Sequence, residues 1–204
     1  MSHDSTVSKG KVKELVVASN NRHKLMEIRA MLGSSWIVKG ASEVAPNVGW
    51  DETGTTFLEN ARIKIAALRP YTKGCILADD SGLCVDELGG LPGVNSSSFG
   101  GVEGDHTRNI DHLLSVLKDV PSSRRGAHFY CLILFQDEAS KVSQFEGLCF
   151  GRIATVRHGA GGFGYDPIFM VGTSDTAMAE MSESEKNAIS HRGQAMKAFG
   201  LRED

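Results

Sequence analysis

The feature that most constrains the fold is a short apolar run near the start of the chain, which leads through two polar residues into a helical pattern. Residues 14–19, Glu-Leu-Val-Val-Ala-Ser, have the length and composition of a buried strand. The run stops at Asn20 and Asn21. An apolar face at helical spacing follows, formed by Leu25, Ile28, Met31 and Leu32. A strand, a polar turn and a helix in this order commonly direct helix N-terminal amides at an anion.

The same alternation of strands and helices continues along the chain. Thr56 and Glu59 have the spacing of a capping box, and the helix they open should end before Pro70. Ser182 and Glu185 form a second capping box, which opens one final helix. We predict a further helix over 106–117, a loop over 41–55, and strands over 35–39, 75–78, 127–135, 142–156 with a break, and 167–171. The class is α/β, with residues 12–204 forming one domain after a polar tail over residues 1–11.

Composition excludes several classes of function. The net charge of −3 shows no basic surplus, so we expect no nucleic-acid partner. No apolar run approaches the roughly 18 residues of a membrane span, so we expect no membrane partner. The four cysteines form no CxxC pair. We therefore expect buried, reduced thiols in a cytoplasmic protein, with no zinc site and no disulfide framework.

Two pairs of acidic residues are candidates for binding a metal ion. They are Asp51-Glu52 and Asp79-Asp80, and we expect the second pair at the C-terminal end of the strand over 75–78. Mg²⁺ prefers hard oxygen ligands, usually one or two protein carboxylates together with phosphate oxygens. Adjacent aspartates at a strand end repel each other unless a cation compensates. The alternative, ordinary surface or capping carboxylates, stays open.

Basic residues at two distant places could bind a polyphosphate. Lys24 follows the start of the first helix, while Lys186 and Arg192, with His191 beside it, lie in the predicted final helix. A triphosphate needs several such cations, and arginine can also fork onto a phosphate or a carbonyl. A solvated helix face is the alternative explanation for each of them.

The segment from Gly159 to Gly164 formally matches GxGxxG, but we reject a dinucleotide site. That motif must open a helix after a strand, whereas a β-rich stretch follows here. We interpret the segment as a loop that presents Phe163 for stacking on a base and Asp166 for reading the base edge. The alternative is a glycine-rich hairpin with Phe163 in the core. The sequence contains no GxxxxGK[ST], HExxH or GxSxG motif, so nucleophilic catalysis by serine or cysteine has no support.

Taken together and in order, the motifs resemble those of the inosine triphosphate pyrophosphatase family, the XTP/dITP diphosphatases. The matching stretches span almost the whole chain: Ser19-Asn-Asn-Arg-His-Lys24, Glu52-Thr-Gly-Thr-Thr-Phe-Leu-Glu-Asn60, Ala78-Asp-Asp-Ser-Gly-Leu83, Val85-Asp86, Gly89-Gly-Leu-Pro-Gly93, Gly161-Gly-Phe-Gly-Tyr-Asp-Pro167 and Glu185-Lys-Asn-Ala-Ile-Ser-His-Arg-Gly193. The resemblance implies an elongated, mixed central sheet flanked by helices, two lobes with an active-site cleft between them, and a homodimer.

The resemblance also implies roles for particular residues. Glu52 and Asp80 would bind Mg²⁺, and Asp80 would accept the proton of the attacking water. The phosphates would be held by the segment Ser19, Asn20, Asn21, Arg22, His23 and Lys24. Ser81 and Lys186 would be further substrate contacts. The purine would stack on Phe163 within a segment that includes Gly164, Tyr165 and Asp166, and His191 and Arg192 would read its 6-oxo edge. The implied reaction is hydrolysis of non-standard purine nucleoside triphosphates (ITP, dITP, XTP) to the monophosphate and pyrophosphate.

One loop departs from the family pattern. After Val94 the family commonly has Tyr-Ser-Ala-Arg-Tyr, whereas this chain has Asn95-Ser-Ser-Ser-Phe99. The difference puts in doubt any ligand or dimer contact that this loop makes. Two other functions also stay open: a non-catalytic purine nucleotide sensor, and a phosphatase that acts at the terminal phosphate.

Overall fold

The computed structural model describes residues 13–201, so the predicted tail over residues 1–11 lies outside the described residues. The strands are β1 (Lys13–Val17), β2 (Trp36–Gly40), β3 (Cys75–Val85), β4 (Gly126–Gln136), β5 (Val142–Ile153) and β6 (Phe169–Val171). The helices are α1 (Arg22–Leu32), α2 (Ala41–Val44), α3 (Phe57–Leu68), α4 (His106–Val116), α5 (Glu183–Ile189) and α6 (His191–Gly200). None of the helices in this part of the chain is long and apolar enough to cross a membrane.

Within residues 13–201, a single mixed sheet of six strands, in the order β2-β1-β3-β4-β5-β6, organises the fold. β1 pairs in parallel with both β2 and β3, whereas β3, β4, β5 and β6 pair in antiparallel fashion. The three long strands β3, β4 and β5 extend well beyond β1 and β2. The expected α/β class with a mixed central sheet is confirmed.

Alternating side chains place different helices on the two faces of the sheet, since successive side chains of a strand point to opposite faces. On one face, Leu77 and Ile133 pack with α1 and α6 in a core that includes Phe199. On the other face, Ala78 and Leu132 pack against α3. Helices therefore cover both faces at the end of the sheet where β1 lies.

A further apolar cluster surrounds the other end of the long strands. Leu83 and Val85 of β3 pack there with Leu113 of α4, Phe129 of β4 and Phe169 of β6. The three clusters thus form two lobes along one sheet, joined by β3, β4 and β5. The junction of the lobes lies near the middle of β3.

The prediction that the strand over 75–78 ends before Asp79 is wrong. β3 continues to Val85, because β4 pairs with it along its whole length, with Asp79 opposite Ile133 and Asp80 opposite Leu132. On the other edge of β3, the pairing with β1 stops at Leu77. The two aspartates therefore lie inside one strand but beyond the end of its parallel neighbour.

The predicted final helix is also wrong in one respect, since two helices meet at Ser190. This residue is extended and caps α6, with its hydroxyl oxygen accepting from the Gly193 N–H at 3.1 Å. Glycine is required at 193, because a Cβ there would overlap the carbonyl oxygen of Asn187. Lys186 and Arg192 consequently belong to different helices.

Smaller corrections concern segment bounds. The loop predicted over 41–55 begins with α2. The Glu43 carboxylate accepts from the Gly40 N–H at 2.6 Å, and this N–H has no partner within the helix itself. β5 has no break and ends at Ile153. The strand predicted over 167–171 is restricted to β6.

Candidate active site

The N-terminus of α1 forms one wall of the site, where β1 has ended. The Asn21 side chain caps the helix, its Oδ1 atom accepting from the N–H groups of His23 and Lys24 at 3.0 and 3.2 Å. The Ser19 hydroxyl accepts from the Asn21 N–H at 3.1 Å, and Asn20 Oδ1 accepts from the Ser42 N–H at 3.0 Å. These bonds fix the turn that positions Lys24.

Asp79 is a buried anion that holds two cations of the site in place. Its carboxylate accepts from Lys24 Nζ and Arg192 Nε, both at 2.6 Å, and from the Ser81 hydroxyl at 2.9 Å. Burial by itself would raise the pKa of Asp79, but Arg192 and Lys24 hold it well below its ordinary value. Asp79 is therefore an ionised structural anchor at neutral pH.

Asp80 points to the opposite face of β3, toward α3. Its Oδ1 atom accepts from Lys64 Nζ at 2.6 Å, and the same ammonium group lies 3.0 Å from Glu52 Oε2. Burial raises the pKa of Asp80 to about 6, with Glu52 adding to the shift while Lys64 and Lys24 oppose it. Asp80 is thus a carboxylate whose basicity is raised toward neutral pH.

Glu52 and Asp80 fit a magnesium ion by the chemistry of their donor atoms. Both offer hard carboxylate oxygens, both contact Lys64, and the Glu52 side chain is 37% exposed at the cavity. No group of three or more His, Cys, Asp or Glu side chains over 13–201 could hold a metal ion. Two protein carboxylates supplemented by substrate phosphate oxygens match the coordination habit of Mg²⁺.

A second anion, Glu27 of α1, joins the two helices of the C-terminal segment. Its carboxylate accepts from Lys186 at 2.9 Å and from Arg192 at 2.6 Å. Burial would raise the pKa of Glu27, but Arg192 and Lys186 lower it overall. The guanidinium of Arg192, 1% exposed, therefore bridges Glu27 and Asp79 and also donates to the Ser81 hydroxyl at 2.8 Å.

Phe163 lies at the other end of the site, on the loop over 159–164. The His23 ring stacks on it with 5.1 Å between ring centroids, and Lys186 Nζ lies 4.5 Å from the Phe163 centroid. His23 is exposed, so a purine stacking on the face that His23 covers would displace a movable ring. Phe163 therefore faces the site and does not belong to the apolar core.

Asp166 closes the Phe163 loop. Its Oδ2 atom accepts from the Phe163 N–H at 2.8 Å and from Lys186 Nζ at 2.6 Å. Burial raises the pKa of Asp166, although Lys186 opposes the shift. Gly162 has φ of +68°, and a Cβ there would overlap the Asp166 carboxylate, so the loop requires glycine at this position.

His191 is buried against the ring of Phe129, with 4.7 Å between centroids and an interplanar angle of 12°. Burial lowers the pKa of His191 well below its ordinary value, so the ring is neutral at neutral pH. The Nδ1 atom is buried and has no hydrogen-bond partner among residues 13–201. His191 contributes to the wall of the adjoining cavity, while its Nδ1 atom is not exposed to solvent.

Two cavities meet at the junction of the lobes. The ring-end cavity contains Phe163, Gly164, Tyr165, Asp166, Lys186, His191 and Arg192 in its walls. The other cavity is called the phosphate-end cavity, after the role that the family resemblance implies for it. It is bounded by residues that include Ser19, Asn20, Glu52, Lys64 and Asp80. Asn21, Lys24, Ser81 and Ser97 line both. Segments far apart in sequence thus converge on one groove with an aromatic end and a charged end.

Sequence reasoning and structure differ on several side chains. Arg22 is exposed and lines neither cavity, and Asp51 is exposed and lies outside the carboxylate pair. Sequence reasoning missed Glu27 and Lys64. Lys64 lies three residues after Ala61 on the apolar stripe of α3, and a lysine on a buried helix face is a signal that could have found it.

The fold and site define a class: an α/β protein whose open, mixed sheet carries a groove with paired carboxylates, several cations and a partly exposed aromatic ring. The Ham1 family model matches residues 15–201, and the chain belongs to the Ham1 family. The family resemblance seen in the sequence is thereby confirmed.

Curated relatives and solved structures agree with this membership. The dITP/XTP pyrophosphatase of Halalkalibacterium halodurans is 43% identical over 187 residues, which cover 91% of this chain and 96% of that protein. The dITP/XTP pyrophosphatase of Pseudomonas syringae pv. tomato is 44% identical over 185 residues, covering 90% and 93%. The structure of the Staphylococcus aureus Ham1 protein superposes with a TM-score of 0.82 at 38% identity, covering 94% of this chain and 100% of that one.

Proposed function

We propose that this protein is a nucleoside-triphosphate pyrophosphohydrolase that converts non-standard purine nucleoside triphosphates to the monophosphate and pyrophosphate. The observation that carries the proposal is the groove itself, with Asp80 and Lys64 at one end, Lys24 at the junction and Phe163 at the other. Relatives at 43% and 44% identity that are named dITP/XTP pyrophosphatases support the same reaction.

The charged end of the groove provides the chemistry. Asp80 Oδ1 is bound to Lys64, whereas Oδ2 makes a long contact of 3.5 Å with Asn60 Nδ2. Oδ2 is therefore the oxygen that can orient the attacking water and accept its proton. The water oxygen bonds to the α-phosphorus, the bond from that phosphorus to the bridging oxygen breaks, and pyrophosphate leaves with the electron pair.

Cations of the site stabilise the charge that spreads over the phosphate oxygens. Lys24 and Lys64 lie on the phosphate-end cavity, and their ion pairs with Asp79 and Asp80 hold them in position before the substrate arrives. Preorganised charges of this kind stabilise a transition state without reorganising during the reaction. Glu52 and Asp80 would hold Mg²⁺, which when bound supplies neutralisation of phosphate oxygen charge.

The ring end accounts for the choice of base. Phe163 offers a stacking surface, while the neutral His191 ring and the Arg192 guanidinium lie in the same wall. We propose that a donor of the His191 ring, with Arg192 beside it, pairs with a 6-oxo purine, whereas the 6-amino group of adenine would leave that donor unpaired. Such unpaired polar groups discriminate strongly between substrates.

The test is a nucleotide panel with identification of both products, run with and without magnesium. We expect ITP, dITP and XTP to give pyrophosphate in a magnesium-dependent reaction and ATP to react far more slowly. Asp80→Asn should remove most turnover while the fold stays intact by circular dichroism. Release of inorganic phosphate as the first product, or equal rates with ATP and ITP, would contradict the proposal.

We also propose, from the family resemblance, that the protein is a cytoplasmic homodimer that uses Mg²⁺. The four cysteines are free thiols, and three of them are buried, which supports a reducing compartment. Analytical ultracentrifugation at several concentrations tests the dimer, and a monomer throughout the range would contradict it. Isothermal titration of Mg²⁺ into wild type and Glu52→Gln tests the metal site, with weaker binding expected in the variant.

A further inference from the structure

Ser97 lies where the ring-end and phosphate-end cavities meet, and its hydroxyl is free. It shares this position with Asn21, Lys24 and Ser81, whose side chains are engaged in the cap of α1 and in bonds to Asp79. The Ser97 hydroxyl makes no hydrogen bond to any residue in the described range 13–201. It is therefore a donor and acceptor with full capacity in the wall of the groove.

The backbone around Ser97 is held rigidly on both sides. The preceding residue, Ser96, accepts from the Leu83 N–H at 2.9 Å through its hydroxyl oxygen, and its carbonyl accepts from the Tyr165 hydroxyl at 3.0 Å. The Ser97 carbonyl itself accepts from Asn109 Nδ2 at 2.9 Å, which turns it toward α4. Glycine at position 82 allows the segment that begins at Gly93 to lie close to β3, because a Cβ there would overlap the Gly93 carbonyl oxygen. These bonds fix the position of the Ser97 backbone, and therefore of the Cβ atom that carries its hydroxyl, in the wall of the groove.

The location indicates which part of a nucleotide Ser97 meets. If the base lies at Phe163 and the phosphates at Lys64, the groups that line both cavities face the sugar and the α-phosphate. Anionic phosphate oxygens are best matched by charged donors, which Lys24 provides at the same junction. A neutral hydroxyl, which both donates and accepts, is better matched by a sugar hydroxyl.

We infer that Ser97 binds a hydroxyl of the substrate's sugar and is a specificity-determining residue for the sugar, an inference that rests on the proposed function.

The test compares Ser97→Ala and Ser98→Ala with two substrates, ITP and its 2′,3′-dideoxy analogue. Ser98 is a matched control, since it is exposed, adjacent and outside both cavities. We expect Ser97→Ala to lower kcat/KM for ITP by about two- to tenfold, the effect of one neutral hydrogen bond. The dideoxy substrate should react equally with wild type and Ser97→Ala, and Ser98→Ala should match wild type with both.

Two results for Ser97→Ala would overturn the inference. One is an unchanged kcat/KM for ITP. The other is an equal loss of kcat/KM with ITP and the dideoxy substrate, which would indicate that Ser97 contacts the phosphate or the base. If wild type released no pyrophosphate from ITP, the proposed function would fail instead. The sugar contact would then be read from calorimetric binding of IMP and 2′,3′-dideoxy-IMP. Weakening by Ser97→Ala that is confined to IMP supports the contact, and any other pattern refutes it.

Discussion

Replacing Asp79 by asparagine should destabilise the fold strongly, although its neighbour Asp80 is the residue proposed for the chemistry. Asp79 is 1% exposed and accepts from Lys24 and Arg192 at 2.6 Å each. Asparagine keeps the shape but removes the charge, and its amide group would face one of the two cations. Breaking a buried ion pair from one side costs about 3–5 kcal/mol.

That loss of stability converts into a measurable shift. For a chain of 204 residues, 1 kcal/mol corresponds to about 2–4 °C in melting temperature. Asp79→Asn should therefore lower the melting temperature by roughly 6–20 °C at pH 7. Differential scanning calorimetry or thermal circular dichroism gives the value. Asp51→Asn is the matched control, because Asp51 is exposed, and it should stay within about 0.5 kcal/mol of wild type.

The pH dependence of the stability difference between wild type and Asp79→Asn provides a second check. The pKa of Asp79 is lowered in the folded state. The stabilisation that ionised Asp79 provides is therefore complete above pH 3.8, the ordinary pKa of an aspartate. The stabilisation is lost as the pH falls through the lower, folded-state pKa. The gap between wild type and Asp79→Asn should therefore be constant from pH 7 to pH 5 and shrink below pH 4. A gap under about 1 kcal/mol at pH 7 would refute the reasoning, since Asp79 would then not balance the two cations.

Three further predictions concern Asp80, Lys64 and the cap of α6. Because its pKa is raised to about 6, Asp80 loses its basic form below pH 6. At subsaturating magnesium, kcat/KM for ITP should therefore fall about tenfold for each pH unit below 6. A flat pH profile down to pH 5 would contradict this assignment of Asp80. Lys64→Met removes a charge that lowers the Asp80 pKa, so the acidic limb of the pH profile should move to higher pH. A shift to lower pH would contradict the ion pair between Lys64 and Asp80. Ser190→Ala removes the α6 cap and should cost about 1 kcal/mol by thermal unfolding, whereas the exposed Ser184→Ala should be close to neutral.

Local sequence patterns predicted most of the elements. The apolar run before Asn20, the capping boxes at Thr56 and Ser182, and the apolar face with Leu113 all correspond to strands and helices of the structure. Each depends on residues close in sequence, so spacing and propensity contain the information. The mixture of strands and helices also predicted one domain with two lobes, and the family resemblance implied the cleft between them.

The errors arose where distant contacts decide the outcome. Two adjacent aspartates are unfavourable inside a strand, but β4 pairs with that stretch and Arg192, Lys24 and Lys64 compensate the charge. The Arg192 to Glu27 bond joins residues 165 positions apart, and no local pattern contains it. The break at Ser190 depends on one serine and one glycine in a segment whose composition is otherwise helical.

The unequal lengths of β1 and β3 have a consequence for how such a protein could be altered. If β1 were three residues longer, its backbone would pair with the edge of β3 as far as Asp80, and the chain would run through the space where the phosphates are proposed to bind. Lengthening β1 would therefore yield a better-paired sheet and an inert protein. The chemistry of this fold thus depends on where one inner strand stops.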